Sequence, residues 1–295
     1  MKRKVDGVLL LDKPAGLTSN AALQKAKRLY RAEKAGHTGT LDPFATGLLP
    51  LCLGEATKFS QFLLDADKVY RAELKFGVRT DSGDLDGEVI ASRPVDLTEA
   101  RLRRALDNFL GEIEQVPPMH SALKHHGRPL YEYARKGIEI ERKARRVLVR
   151  GLELETFNGD ACVLRVHCGK GFYVRALADD LGEVLGCGAH LAGLARLRVG
   201  DFDLADACSL AELDNLSEVE RDARLAPADA LIAGLPELCL DAEAAWQIMH
   251  GQAVWLPRLQ VGVLHRIYAP AERFLGVAEV GEDGKLAPRR LLAQA

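Results

Sequence analysis

Apolar and polar positions along the chain fall into several distinct periods, and these predict the elements. The run "GVLLLDKP" is a short apolar strand closed by Lys13, Pro14 and Gly16. "TSNAALQKAKRLYRAEK" follows with helical spacing: Leu23, Ala26, Leu29 and Tyr30 share one face, and Thr18 or Ser19 can cap it. "VYRAELKF" alternates strictly, with Tyr70, Ala72, Leu74 and Phe76 on one face and Arg71, Glu73 and Lys75 on the other. That pattern predicts a half-buried strand whose inward face carries Tyr70. "LTEARLRRALDNFLG" predicts a helix with Leu102, Leu106, Phe109 and Leu110 on one side and Gly111 at its end. "ACVLRVHC" alternates again. It leads into "GKGFYVRALADDLGEVLG", a helix whose buried stripe is Val174, Leu177, Ala178, Leu181 and Leu185.

Arg175 lies off that stripe, in the first helical turn. A cation beside the positive end of a helix is unfavourable unless an anion compensates, so Arg175 is expected to face a carboxylate or a phosphate. From about Asp201 to Leu235 the chain reads as acidic and helical. Beyond Pro236, "GVLHRIYA", "RFLGVAEV" and "KLAPRRLL" predict a small β-rich unit of roughly 60 residues, near the lower size limit for a domain.

Composition changes this picture little: 295 residues, 47% hydrophobic and 28% charged, describe an ordinary globular chain. No apolar run approaches the ~20 residues that cross a bilayer. The opening "MKRKVDGVLLLDKP" has Asp6 and Asp12 flanking its apolar run and no small-residue cleavage site, so no signal peptide is expected. Six scattered cysteines without a C-x-x-C pair predict reduced thiols and a cytoplasmic setting. No metal site is expected, since the histidines and cysteines do not cluster.

Charge distribution says more than the net value of −2. Lys124 to Arg150 holds nine Lys or Arg against three acids, whereas Asp201 to Glu243 holds twelve acids against two arginines. A local basic patch on a near-neutral chain suits a polyanion. "TDSGDLDGEV" resembles a calcium loop, but Ser82 would have to open it and Arg93 would take the twelfth place, where a bidentate Glu belongs. An acidic surface turn is the expectation there. In "GHTGTLDPFATGLLP", Gly36, Gly39, Gly47 and Pro43 shape the backbone around a single carboxylate, Asp42. A stretch so committed to its path presents either backbone N–H groups or that carboxylate.

Three stretches together resemble the TruB family of tRNA pseudouridine synthases. They are "GVLLLDKPAGLTSN", "AGHTGTLDPFATGLLPLCLGEATKFSQ" and "CGKGFYVRALADDLGEVLGCGAHLAGLARL". "MHSALKHHGRPLYEYARKG" is similar to the family's RNA-gripping insertion, and "GKLAPRRL" to the end of its C-terminal module. The resemblance implies an α+β fold: a mixed, largely antiparallel central sheet with flanking helices over 1–235, an insertion at about 119–150, and a PUA-like unit over 236–295. It implies isomerisation of uridine 55 in the T loop of tRNA, with no cofactor, metal or nucleotide, by a monomer.

By the same resemblance, Asp42 is the catalytic carboxylate, Arg175 its partner and Tyr70 the ring that stacks on the target base. The family logic leaves three routes for Asp42: attack at C1′, attack at the uracil C6, or removal of the ribose 2′ proton. Arg175 beside it implies a lowered Asp42 pKa and an ionised carboxylate. Tyr173 and Leu194 match positions lining the pocket, His37 one that contacts the T loop, and Lys13 one near the site. Phe172 stands where a smaller polar residue is usual, and Ala195 where an arginine is frequent. Two other readings are a tRNA-folding chaperone without catalysis and a glycosidase. The second is weakened because most glycosidases use two flanking carboxylates.

Overall fold

The computed structural model describes residues 2–293. Its central sheet is built on seven long strands: β1 (Gly7–Lys13), β2 (Thr46–Leu53), β3 (Lys68–Phe76), β4 (Gly111–Gln115), β5 (Arg145–Phe157), β6 (Ala161–Cys168) and β7 (Ala189–Val199). Their order is β1-β2-β7-β3-β6-β5-β4, and every neighbouring pair is antiparallel except β2 with β7. The mixed, largely antiparallel sheet expected from the sequence is therefore present.

Three helices cover the sheet: α1 (Ser19–Leu29), α2 (Glu99–Leu106) and α3 (Val174–Leu185). α1 packs Ala22, Leu23, Ala26 and the following Tyr30 against Leu9, Leu11, Leu49 and Leu51. α2 and α3 bury Leu102, Leu106, Leu177, Leu181 and Leu185 against Ala72, Leu74, Phe76 and Leu164. Thr18 caps α1, accepting from the Ala21 N–H at 3.0 Å, while Ser19 turns inward. α2 ends at Leu106 and gives way to a 3-10 turn over Asp107–Phe109. That change of pitch buries Phe109 but swings Leu110 out to 44% exposure, against the expectation of one continuous apolar face.

The acidic stretch is less helical than its composition suggests. It holds two short helices, Leu210–Asn215 and Glu218–Asp222, each started by a capping box, Ser209 with Glu212 and Ser217 with Glu220. Several of its acids thus serve as caps rather than as a helical surface.

A second sheet follows, from β8 (Glu237–Cys239), β9 (Val254–Trp255), β10 (Leu264–Ala269), β11 (Arg273–Val280) and β12 (Lys285–Leu291), in the order β8-β10-β11-β12-β9. Helix α4 (Ala242–Met249) closes its core with Ala244, Ala245 and Ile248. This sheet meets the 3-10 turn Gly54–Phe59 that follows β2, through Phe274 against Phe59, at 5.5 Å between ring centroids, and through the Lys58 ammonium on the Leu291 carbonyl at 2.8 Å. The basic insertion forms a small hairpin, Lys124–His125 with Arg128–Pro129, and a short helix, Leu130–Ala134. All six cysteines are free and only Cys239 is exposed. Among the described residues no helix is long and apolar enough to cross a membrane.

Candidate active site

The loop from Gly39 to Ala45, just before β2, carries Asp42 and is held at Leu41, Asp42, Pro43 and Ala45. Lys13 and Gly16 reach it from the end of β1. The Gly16 N–H donates to the Pro43 carbonyl at 2.8 Å, and the Lys13 ammonium reaches the carbonyls of Pro43, Pro14 and Leu17 at 3.3, 2.9 and 2.7 Å. Ser19, from the first turn of α1, accepts from the Leu41 N–H at 2.8 Å and donates to the Leu41 carbonyl at 3.0 Å. The Asp42 carbonyl accepts from the Ala45 N–H at 3.1 Å, closing a turn with Pro43 at its second place. At the far end Gly47 adopts φ +97°, and an added Cβ would come 2.4 Å from the Arg196 carbonyl. Gly36, by contrast, sits in an ordinary short strand (Ala35–His37) and needs no special angle.

Arg175 meets Asp42 side-on. Its Nε lies 3.0 Å from Asp42 Oδ2 and its Nη2 donates to Oδ1 at 3.2 Å, the two-point geometry of a guanidinium on a carboxylate. Arg175 is 6% exposed, so the off-stripe position does not face solvent; the anion expected at this helix start is Asp42. Its remaining donors are also engaged, with the His120 carbonyl at 2.7 Å, the Ser82 carbonyl at 3.2 Å and Asp84 Oδ2 at 3.5 Å.

Asp84 belongs to the acidic turn that the sequence suggested would lie on the surface. In fact Ser82, Gly83 and Asp84 are buried against Arg175. Asp84 Oδ1 also accepts from the Ser82 hydroxyl and from the Asp86 N–H at 3.1 Å.

Electrostatics at Asp42 differ from the sequence expectation. Burial is the largest influence and pushes its pKa above the ordinary carboxylate value. Arg175 and Lys13 pull it down, while Asp84 and Asp86 push it up further. The guanidinium therefore limits the rise without reversing it. Lys13 is fully enclosed, and burial lowers its pKa to about 8. With three carbonyls around it, the ammonium anchors the loop and has no free side for a substrate.

Tyr70 is half-buried on β3, opposite Arg196 on β7, and packs between the two halves of the core. Burial raises its phenol pKa, so the hydroxyl keeps its proton at neutral pH. Leu194 on β7 faces Ala72 and packs into the same two clusters. Tyr173 is the residue before α3. Gln115 clamps its backbone from both sides, donating to the Tyr173 carbonyl at 3.2 Å and accepting from its N–H at 3.0 Å. His37 pairs with Leu51 on β2 and has a buried Nδ1 without a partner among the described residues; burial lowers its pKa and favours the neutral ring.

Asp42 and Arg175 are thus in direct contact, and Lys13 holds the loop between them and β1. Ser19, Asp84, Gln115 and Arg196 are the members that sequence reasoning missed. Only Asp84 had a signal, the acidic motif itself.

Around the insertion, Lys124, Arg128, Arg135, Lys136, Lys143, Arg145 and Arg146 are exposed and have no ion-pair partner among the described residues. Arg135 lies over the Tyr131 ring at 5.3 Å.

Comparison with known proteins agrees along the whole chain. Residues 27–174 match the TruB family pseudouridylate synthase N-terminal domain, 175–233 the tRNA pseudouridylate synthase B C-terminal domain, and 236–292 the pseudouridine synthase II TruB C-terminal region. The chain is 53% identical to tRNA pseudouridine synthase B of Methylobacillus flagellatus, over 100% of this chain and 98% of that protein. It is 57% identical to the protein of the same name from Thiobacillus denitrificans, over 99% and 97%. Among solved structures it is similar to a chain of an H/ACA RNP bound to a substrate RNA containing 2′-deoxyuridine. The TM-score is 0.74 and the identity 25%, over 98% of this chain and 85% of that one. A chain of a Cbf5-Nop10-Gar1 complex gives a TM-score of 0.73 and 26% identity, over 98% and 84%.

Proposed function

This chain belongs to the TruB family and is an isomerase that makes pseudouridine in tRNA; on that premise we propose that its target is uridine 55 of the T loop and that Asp42 carries the chemistry. The observation behind the second part is the two-point Arg175–Asp42 pair on a loop anchored at Leu41, Asp42 and Pro43.

Pseudouridine formation breaks the C1′–N1 bond, turns the uracil and joins C1′ to C5. The C5 proton leaves and N1 gains one, so atoms and oxidation state are conserved, and no electron acceptor or group donor is called for. A stacked base is out of reach, so the nucleotide must first be flipped out, at a cost of a few kcal/mol. Tyr70 offers the ring on which the flipped uracil stacks, and its protonated phenol can donate at the base edge. Tyr173 and Leu194 line the same pocket, and His37 contacts the T loop.

Each route open to Asp42, attack at C1′, attack at C6 or removal of the 2′ proton, requires the ionised carboxylate. Arg175 keeps that form accessible against burial and fixes the direction of both oxygens. Such fixed geometry accounts for a large share of catalysis when reacting atoms must meet at about 3 Å.

The unpaired cations of the insertion, over about 119–150, lie against the T-arm phosphates. Phosphate contacts position the RNA, and its splayed bases are read in the pocket. In this reading residues 1–235 are the catalytic domain and 236–295 a PUA-like RNA-binding domain, acting as a monomer in the cytoplasm.

The test is to incubate a full tRNA transcript with the protein and map pseudouridine by carbodiimide-blocked reverse transcription. Modification at position 55 alone, retained in an isolated T-arm stem-loop, is expected. Modification elsewhere with position 55 untouched would overturn the assignment.

A further inference from the structure

Arg196 is the largest of the fully enclosed side chains, at 1% exposure. Burying a guanidinium is costly unless it is paired, and Arg196 has no carboxylate partner among the described residues. Its hydrogen bonds go to two carbonyls that flank one loop, that of Gly39 at its start and that of Leu48 in the strand β2 that follows it. The Nε donates to the Leu48 carbonyl at 2.8 Å and Nη2 to the Gly39 carbonyl at 3.2 Å. Between those residues lies Asp42. The Arg196 backbone faces Gly47 on one neighbouring strand and Tyr70 on the other. Gly39 adopts φ +122°, a backbone angle that favours glycine, and lies at contact distance from the guanidinium, an added Cβ standing 3.5 Å from Nη1.

A residue that is only filling the core would not bridge the backbone on either side of the loop that presents the catalytic carboxylate. We propose that Arg196 is a positioning residue for the isomerisation, a buried guanidinium that locks the Asp42 loop in register with the strand carrying Tyr70. The planar fork reaches two carbonyls in fixed directions, which an ammonium does not reproduce. The same charge counters the burial of the Tyr70 phenol, so one group touches the frame of both proposed site residues.

This inference rests on the reading of Asp42 as the reacting carboxylate. Arg196→Lys, Arg196→Gln and, as a reference, Asp42→Asn are measured in single-turnover pseudouridine formation on a T-arm stem-loop. Dissociation constants for the same RNA and urea unfolding are recorded for each. Misplacing a reacting group by about 1 Å costs ~100-fold in rate. Both Arg196 variants should lose on that order in the single-turnover rate constant. Their dissociation constants should stay within about threefold and unfolding should remain cooperative, since the phosphate contacts assigned to the insertion are left intact.

A core filler would instead lower the unfolding midpoint and leave the rate of the folded protein unchanged. Rates within about threefold of wild type in both variants, or parallel losses of rate and binding, would overturn the proposal. So would two variants that do not fold, since Arg196 would then be a determinant of the fold. Full activity in Asp42→Asn would overturn the reading beneath it; loss in Asp42→Asn with wild-type rates in Arg196→Lys would overturn the positioning role alone.

Discussion

Asp42 sits between opposing influences, and their signs can be read separately. Burial and the Asp84 charge raise its pKa, and the Arg175 guanidinium lowers it. The rate should therefore fall as pH drops through the raised value, because the reactive form is the carboxylate. Arg175→Met should move that acidic limb to higher pH and cut the plateau by about 100- to 1000-fold, the usual size for removing one preorganised donor. Asp84→Asn should move the limb the other way, to lower pH, while loosening Arg175. Single-turnover pH–rate profiles check both; shifts in the same direction would refute this account of the field at Asp42. Lys13 offers a stability test of the same kind. Its folded pKa of about 8 lies below the ordinary lysine value of 10.5, so between those values the unfolded chain binds more protons. The penalty is complete below pH 8 and fades as pH rises towards 10.5. The rise in urea midpoint from pH 8 to pH 10 should thus be smaller in Lys13→Met than in wild type, and an equal rise would contradict the assignment.

At the scale of elements, the question is what keeps a loop of glycines, a proline and an aspartate in one shape. Ser19 is central: its hydroxyl satisfies both backbone groups of Leu41, a residue before Asp42. Ser19→Ala strands those buried groups and should destabilise the fold by about 1–3 kcal/mol. It should also slow catalysis more than it weakens RNA binding, as read by urea unfolding beside single-turnover kinetics. β3, α1, α3 and the long strands of the second sheet are legible in the sequence, because each buries one face and writes its period into the chain. Helix α2 is shorter than its apolar pattern predicts, since a 3-10 turn keeps Phe109 inward without keeping the α-helical period. Arg175 stands out by its place at a helix start, although its burial does not. Asp84 reads as a surface acid because an acidic turn looks the same whether water or an arginine meets it. Ser19, Gln115 and Arg196 leave no signal: their partners are backbone atoms 22, 58 and up to 157 residues away. Such contacts depend on tertiary path alone.

The whole molecule carries a net charge of only −2, yet its cations are concentrated on the insertion and its acids on the segment from Asp201 to Glu243. The second segment spends many of its acids on helix caps and on ion pairs such as Arg3 with Asp222. The first leaves most of its cations unpaired. RNA affinity should accordingly fall steeply with salt. Replacing Lys136, Lys143 and Arg145 together by Gln should reduce the slope of log K against log salt by about 0.7–0.9 for each phosphate left without its cation. An unchanged slope would place the RNA elsewhere on the surface. The central claim, that this molecule isomerises uridine in tRNA through the Asp42 carboxylate, is tested most directly by tritium release from C5-labelled uridine in a T-arm stem-loop, with wild type and Asp42→Asn compared and binding followed in parallel. Release by wild type, abolished in a variant that still binds the RNA, is the predicted result. Equal release by both would contradict the claim, and no release by either with binding intact would leave an RNA-binding protein whose Asp42 only shapes a loop.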